Sequence, residues 1–256
     1  MLKRLIQKFS ARPQAEPLAP EMTAGTRLYA IGDIHGRVDL LRSLHQMIRE
    51  DLVRKTPERA VVVYLGDYID RGEASSEVVE ELLARPLDGV ERVHLMGNHE
   101  WAMLGFLENP VGYLDWLEFG GRATLGSYGA PQPDPGDPAS IEAAHQALHR
   151  NLPKPHLRFL KGLSSSYEEG GYFFAHAGVR PGVPLANQSE RDLMMIRDSF
   201  TRSCENFGKM VVHGHTISAA PEFRPNRIGI DTGAFATGCL TCLCLEGAGH
   251  RLLQTS

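Results

Sequence analysis

A chain of 256 residues with 27 Lys+Arg against 31 Asp+Glu carries a formal net charge of −4, so no long-range positive field draws it to nucleic acid or an anionic membrane. With 42% hydrophobic, 7% aromatic and 23% charged residues, 26 Gly and 16 Pro, the composition suits a folded chain with a sizeable core and excludes a disordered, collagen-like or coiled-coil protein. No apolar run approaches the roughly 20 residues that span a bilayer, and Met1–Phe9 has neither an apolar signal core nor a small-residue cleavage site, so a cytoplasmic location is expected.

Residues 1–25 are polar and Pro-bearing and read as a poorly ordered tail, with room for one short helix at its start. Residues 26–256 are expected to form one domain. Apolar, β-branched runs at Arg27–Gly32, Ala60–Leu65 and Val90–Met96 are each followed by a helix-like pattern, at Val38–Arg54, Ser76–Arg85 and His99–Leu107. Short apolar runs alternating with 3.6-residue periodicity predict βαβ units and a parallel sheet. Residues 105–163 are richer in Gly, aromatics and helix formers and are divided by the Pro-rich stretch 131–138; they read as a helical insert roofing the site. Strands resume at Gly171–Ala175, Lys209–Val212, Arg227–Ile230 and Leu240–Leu245, with less helical connections, which predicts a second, mixed sheet. Three of the four cysteines, Cys239, Cys242 and Cys244, crowd the last strand. A buried strand explains them better than a zinc or redox site, since no second ligand pair stands at zinc-finger spacing.

The chemistry gathers at strand ends, where open α/β sheets bind their ligands. Read in order, the ends carry Asp33 and His35 between Gly32 and Gly36; Asp67, Asp70 and Arg71 between Gly66 and Gly72; Asn98, His99 and Glu100 after Gly97; His176 before Gly178; and His215 after Gly214. One His or Asp at a strand end is an ordinary cap, but five such ends in one chain are not. The chain has no Gly-x-x-x-x-Gly-Lys-Ser/Thr loop, no Gly-x-Gly-x-x-Gly after a strand, no Cys followed by Arg at six residues and no Gly-x-Ser-x-Gly elbow. The carboxylate, amide and imidazole groups at these ends are oxygen and nitrogen donors without thiolate, which suits Mn²⁺, Fe or Zn²⁺.

These motifs resemble those of the phosphoprotein phosphatase branch of the calcineurin-like metallophosphoesterases, most closely the small bacterial and phage serine/threonine protein phosphatases. The resemblance covers about residues 27–245. It implies an α/β (α+β elements) fold with a central two-sheet β-sandwich flanked by helices, and a dinuclear metal centre, manganese being favoured, that hydrolyses phosphoserine and phosphothreonine by direct attack of a metal-bound hydroxide. Carried onto this chain, the resemblance makes Asp33 and His35 ligands of one metal, Asp67 the bridge, and Asn98, His176 and His215 ligands of the other. It makes His99 the general acid, oriented by Asp70, and sets Arg71 and Arg197 on the phosphate with Asn98. The Gly-His-Thr frame favours His215, although His213, two residues earlier on a strand, could face the same way. Asp231 reads as a supporting or turn residue, and Arg122 as a possible substrate contact.

Two other readings stand beside this one. The symmetrical diadenosine tetraphosphatases resemble the chain, but usually lack the equivalent of Asp70 and end the third motif in Asp, where Glu100 stands here. Phosphotyrosine is also compatible with the motifs. A non-catalytic binding module is disfavoured by the intact ligand set. Phosphoproteins are thus the expected partners, with neither nucleic acid nor membrane, and the oligomeric state is not legible.

Overall fold

The computed structural model describes residues 19–84 and 87–255. The chain alternates strand and helix through β1 (Thr26–Ile31), α1 (Val38–Arg54), β2 (Arg59–Tyr64), α2 (Ser75–Ala84), β3 (Glu91–His94) and α3 (Asn98–Glu108). The helical insert follows as α4 (Arg122–Ser127), α5 (Pro138–Asn151) and α6 (Lys154–Lys161). Then come β4 (Ser166–Glu169), β5 (Tyr172–Ala175), α7 (Glu190–Met195), α8 (Asp198–Thr201), β6 (Met210–His213), β7 (Glu222–Phe223), β8 (Arg227–Gly229), α9 (Ala234–Thr237), β9 (Thr241–Glu246) and β10 (Gly249–Gln254).

Two five-stranded sheets result, ordered β10-β9-β1-β2-β3 and β4-β5-β6-β8-β7. In the first, β1, β2 and β3 are parallel, while β9 and β10 add antiparallel on the other side of β1. The second is mixed: β5, β6 and β8 are parallel, with β4 and β7 antiparallel at its edges. Side-chain alternation builds the layers. Leu28 and Ala30 of β1, Val61 and Val63 of β2 and Leu243 and Leu245 of β9 face Tyr172, Phe174, Val212 and Ile228 across the sandwich. The intervening Tyr29, Ile31, Val62 and Tyr64 face outward beneath α1, α2, α3 and α5, through residues such as Leu44, Val78, Met103 and Leu148. Phe173, Ala175 and Val211 pack on the opposite outer face against Leu193 and Phe200.

The expected two-sheet sandwich with flanking helices is therefore the observed architecture. Three details differ. The strand at Leu240–Leu245 belongs to the first sheet, not the second, because β9 zips antiparallel onto β1, Leu28 opposite Leu245. Strands β4, β7 and β10 were not anticipated; each is half-polar, with no long apolar run to mark it. Of the expected tail, residues 1–18, including its short helix, lie outside the described residues. Residues 19–25 are not loose: Met22 is buried in the inter-sheet core and its N–H bonds the Gly247 carbonyl at 2.8 Å. Among the described residues no helix is long and apolar enough to cross a membrane.

Candidate metal centre

The five motif-bearing strand ends converge. Asp33 and His35 follow β1, Asp67 to Arg71 follow β2, Asn98 and His99 open α3, His176 follows β5 and His215 follows β6. Among the described non-glycine residues, positive φ occurs at His35, Asp67, Asp70, Arg71 and His215, every one of them at this site. Left-handed backbone costs of order 1–3 kcal/mol per non-glycine residue and persists where the surroundings enforce it. Glycine supplies clearance at two points. A Cβ on Gly97 would lie 2.1 Å from Asp67 Oδ1, and one on Gly214 would lie 2.0 Å from Asp33 Oδ1.

Asp67 is the hub. Its Oδ2 lies 3.4 Å from His176 Nε2, 3.6 Å from His35 Nε2 and 3.8 Å from His99 Nε2. Two groups of ligand atoms each fall within 4.8 Å of one another, His35–Asp67–His99 and Asp67–His176–His215, with Asp67 common to both. His35 Nδ1 donates to the Ile69 carbonyl and His176 Nδ1 to the Leu65 carbonyl, both at 2.9 Å, which turns each Nε2 toward Asp67. His176 Nε2 is also 3.1 Å from Asn98 Oδ1 and 3.2 Å from His215 Nδ1. Asp33 stands outside both trios. Its carboxylate accepts the His215 N–H at 3.0 and 3.2 Å.

The electrostatics fit divalent cations. Burial, followed by Asp231 and Asp67, pushes the Asp33 carboxyl well above its usual value, as expected where several carboxylates share one site. Burial holds His35 down at about 3, and burial together with His176 holds His215 at about 2, so both rings stay in the neutral form that ligates metal. His215 Nε2 is buried without a hydrogen-bond partner. Imidazole nitrogens around crowded carboxylates, with no thiolate, form a donor set for Mn²⁺, Fe or Zn²⁺.

His99 differs from the other rings. Its Nδ1 bonds Asp70 Oδ2 at 2.6 Å, and its Nε2 turns to the Asp67 side, 3.3 Å from an Arg71 nitrogen. Burial opposes the charged ring, but Asp67 and Asp70 outweigh it and raise His99 to about 9. Asp70 is fully buried and held from several sides. It accepts from the Trp116 indole at 2.7 Å and from the Thr124 hydroxyl, while its own N–H meets Thr124 Oγ1 at 2.9 Å and Ser75 Oγ at 3.0 Å. Trp116 and Thr124 thus bring residues 105–163 to the site. Arg71 stacks over Phe235 at 4.7 Å. Arg197 lines a cavity of about 560 Å³ beside Asn98, His99 and His215, whose aromatic wall includes Trp101 and Tyr113.

Three residues raised from the sequence stand apart from the ligand groups. Arg122 is turned to the Pro133 carbonyl and Glu118. His213 does not join His215, because β6 ends at His213 and the left-handed backbone of His215 breaks the two-residue alternation. Asp231 accepts from the Gly233 N–H at 2.9 Å, a turn role. Sequence reasoning missed Trp116 and Thr124 and gave Trp101 no part in the site, although it is 40% exposed at the cavity. It also gave Glu100 no structural role. That carboxylate accepts from the backbone N–H groups of Asp67 (2.9 Å), Tyr68 (2.7 Å), Ile69 (3.2 Å) and Gly97 (3.1 Å), shaping the turn that presents Asp67. Its position three residues after the helix cap was the available signal.

Comparison with known proteins agrees with this geometry. The family model for calcineurin-like phosphoesterases matches residues 26–219. The chain is 25% identical over 231 residues (83% of this chain, 88% of the relative) to the asymmetrical bis(5'-nucleosyl)-tetraphosphatase PrpE of Anoxybacillus flavithermus. It is 38% identical over 71 residues (27% and 16%) to the PP2A-like serine/threonine-protein phosphatase PPG1 of Candida albicans. Among solved structures, a protein provisionally named a diadenosine tetraphosphatase aligns with TM-score 0.62 at 19% identity, covering 92% of this chain and 99% of that one. A cold-active protein tyrosine phosphatase aligns with TM-score 0.51 at 16% identity, covering 92% and 82%. Both likenesses concern the fold.

Proposed function

The chain belongs to the calcineurin-like phosphoesterase family, phosphoester hydrolases with dinuclear divalent metal sites, and from that membership we propose that it is a protein serine/threonine phosphatase. The observation that carries this reading is the 2.6 Å bond between His99 and Asp70. A serine or threonine alkoxide is a poor leaving group and needs a proton in the transition state. A ring with one nitrogen fixed by a buried carboxylate and the other facing the metal cluster suits that task.

Asp33, His35, Asp67, Asn98, His176 and His215 would hold the two ions, with Asp67 shared. When bound, such ions supply Lewis-acid polarisation of the phosphoryl group and an activated water. The chain's own groups do the rest. Arg71, braced by Phe235, and Arg197 offer planar forks to the phosphoryl oxygens. His99 Nε2 delivers the proton to the departing oxygen, and Asp70 keeps the ring oriented and stabilises its charged form. Manganese and a cytoplasmic location belong to the same reading; the donor set suits the first, and four free cysteines fit the second.

A second reading has specific support. The similarity to bis(5'-nucleosyl)-tetraphosphatases runs over most of both chains, and an aromatic wall at Trp101 and Tyr113 would stack a nucleobase. Steady-state assays of the Mn²⁺-loaded protein on a phosphoserine peptide and on diadenosine tetraphosphate decide between them. The phosphatase reading expects the higher kcat/KM on the peptide, and a clear preference for the dinucleotide would overturn it.

A further inference from the structure

The cavity of about 560 Å³ beside the metal centre has room for more than a phosphoryl group. Next to the metal-centre residues its lining is aromatic, with Trp101, Tyr113, Trp116 and Phe119, and Asp115 is the carboxylate among them. Trp101 and Phe119 are 40% and 64% exposed. Large apolar rings left open together in one cavity at an active site mark a place where a ligand docks.

The rings are held in place. Those of Trp101 and Tyr113 lie 5.1 Å apart at 63°, forming a corner. Tyr113 can lie against α3 because residue 105 is glycine; a Cβ there would come within 2.3 Å of the phenol ring. The stretch that carries Asp115 and Phe119 is tied to the phosphate-binding loop at both ends. Trp116 donates to Asp70, and the Gly120 carbonyl accepts the Arg71 N–H at 3.3 Å. The aromatic wall therefore stands in a fixed register with the phosphate. The faces of such rings carry the negative part of the quadrupole and attract a cation. Asp115 adds a full negative charge, and among the described residues it has no ion-pair or hydrogen-bond partner. Arg197 and His99 are engaged with the phosphoryl group, which leaves Asp115 as the charge offered to the rest of a substrate.

We propose that this wall selects substrates by a cationic side chain, an arginine immediately flanking the phosphoserine. The proposal rests on the phosphatase reading above. His99, which protonates the departing oxygen, stands in the same cavity, so the cavity lies on the leaving-group side, where the substrate's own chain must run. With the phosphate at the metal centre, the neighbouring guanidinium lays its plane on the open faces of Trp101 and Phe119 and pairs with Asp115. A planar, weakly hydrated guanidinium stacks on aromatic faces better than a lysine ammonium does. An apolar side chain would cover the rings but leave the carboxylate unmatched.

Steady-state kinetics of the Mn²⁺-loaded protein test this on phosphoserine peptides with arginine immediately before or immediately after the phosphoserine, on their alanine and glutamate counterparts, and on diadenosine tetraphosphate. At least one arginine peptide should exceed its alanine counterpart by about tenfold in kcat/KM, the size of a cation–π contact with an exposed ion pair, and the gain should lie in KM with kcat alike. Asp115→Asn and Phe119→Leu should each shrink that preference by about threefold, as loss of one of the two contacts requires. Asp115→Lys should turn it toward glutamate. Each preference is a ratio within one enzyme, so a variant that folds or loads metal poorly loses both terms and keeps the ratio. Arginine and alanine peptides turned over alike, or a preference that both Asp115→Asn and Phe119→Leu leave intact, overturns the proposal and leaves the phosphatase reading standing. A kcat/KM on the dinucleotide above that on every peptide overturns the phosphatase reading and this proposal with it.

Discussion

Trp116 and His99 donate to the same atom, Oδ2 of Asp70, at 2.7 and 2.6 Å. The insert and the third βα junction therefore meet on one carboxylate oxygen, and the orientation of the His99 ring depends on both. If His99 is the general acid, its value tracks the leaving group's need for a proton. His99→Asn should cost about 10²–10⁴ in kcat on a phosphoserine peptide and clearly less on nitrophenyl phosphate, whose phenolate leaves unaided. Equal losses on the two substrates, with chemistry rate-limiting, would remove His99 from that role.

Trp116→Phe keeps the aromatic packing against Phe106 and removes only the indole N–H. The loss of one hydrogen bond to a charged group is about 1.5–3 kcal/mol at most, so kcat on the phosphoserine peptide should fall by roughly tenfold with metal content unchanged. Asp70→Asn should fall further, and combining it with His99→Asn should add little to the worse single change. A Trp116→Phe enzyme with unaltered kcat would mean that Thr124 and Ser75 hold Asp70 unaided.

Chelation should abolish activity and Mn²⁺ should restore it. Because Asp67 belongs to both ligand groups, Asp67→Asn should weaken both metals rather than one. Metal analysis that finds one ion fully retained would reassign the bridge.

His215→Asn should lose one of the two ions, whereas His213→Asn should keep both, since His213 belongs to neither ligand group. The reverse pattern would exchange their assignments.

Glu100→Gln tests the turn beneath the site. The carboxylate accepts four backbone N–H groups, two on each oxygen, and the amide can replace only one of those oxygens. Urea denaturation should read a loss of about 2–4 kcal/mol, the cost of two buried donors left unpaired. A loss under about 0.5 kcal/mol would show that the turn holds without it.

Much of this architecture is legible before any coordinates. The β-branched run Ala60–Leu65 announces a buried strand, and the glycines beside Asp33, Asp67 and Asn98 mark strand ends where a ligand is approached closely. What is not legible is tertiary. Nothing local in Trp116 or Thr124 points to Asp70, some fifty residues earlier, since their meeting depends on how the insert folds back. Strand β4, with two glutamates in four residues, earns its place from pairing with β5 rather than from its own apolarity. The alternation rule failed at His215 because the strand stops two residues sooner, at a backbone conformation that ordinary residues avoid.

The pairing of β1 with β9 sets an order on synthesis. The ribosome releases β1, β2 and β3 early, and these can align as a parallel ribbon at once. The other edge of β1 finds its partner only when residues 241–246 emerge, long after β3. Until then a strand whose residues are all buried in the finished fold presents open N–H and C=O groups to solvent. Such non-local closure slows folding, and the nascent protein is most exposed to strand-to-strand association in that interval. Expression yield should therefore respond to chaperone supply and growth temperature more than the finished fold's stability would suggest.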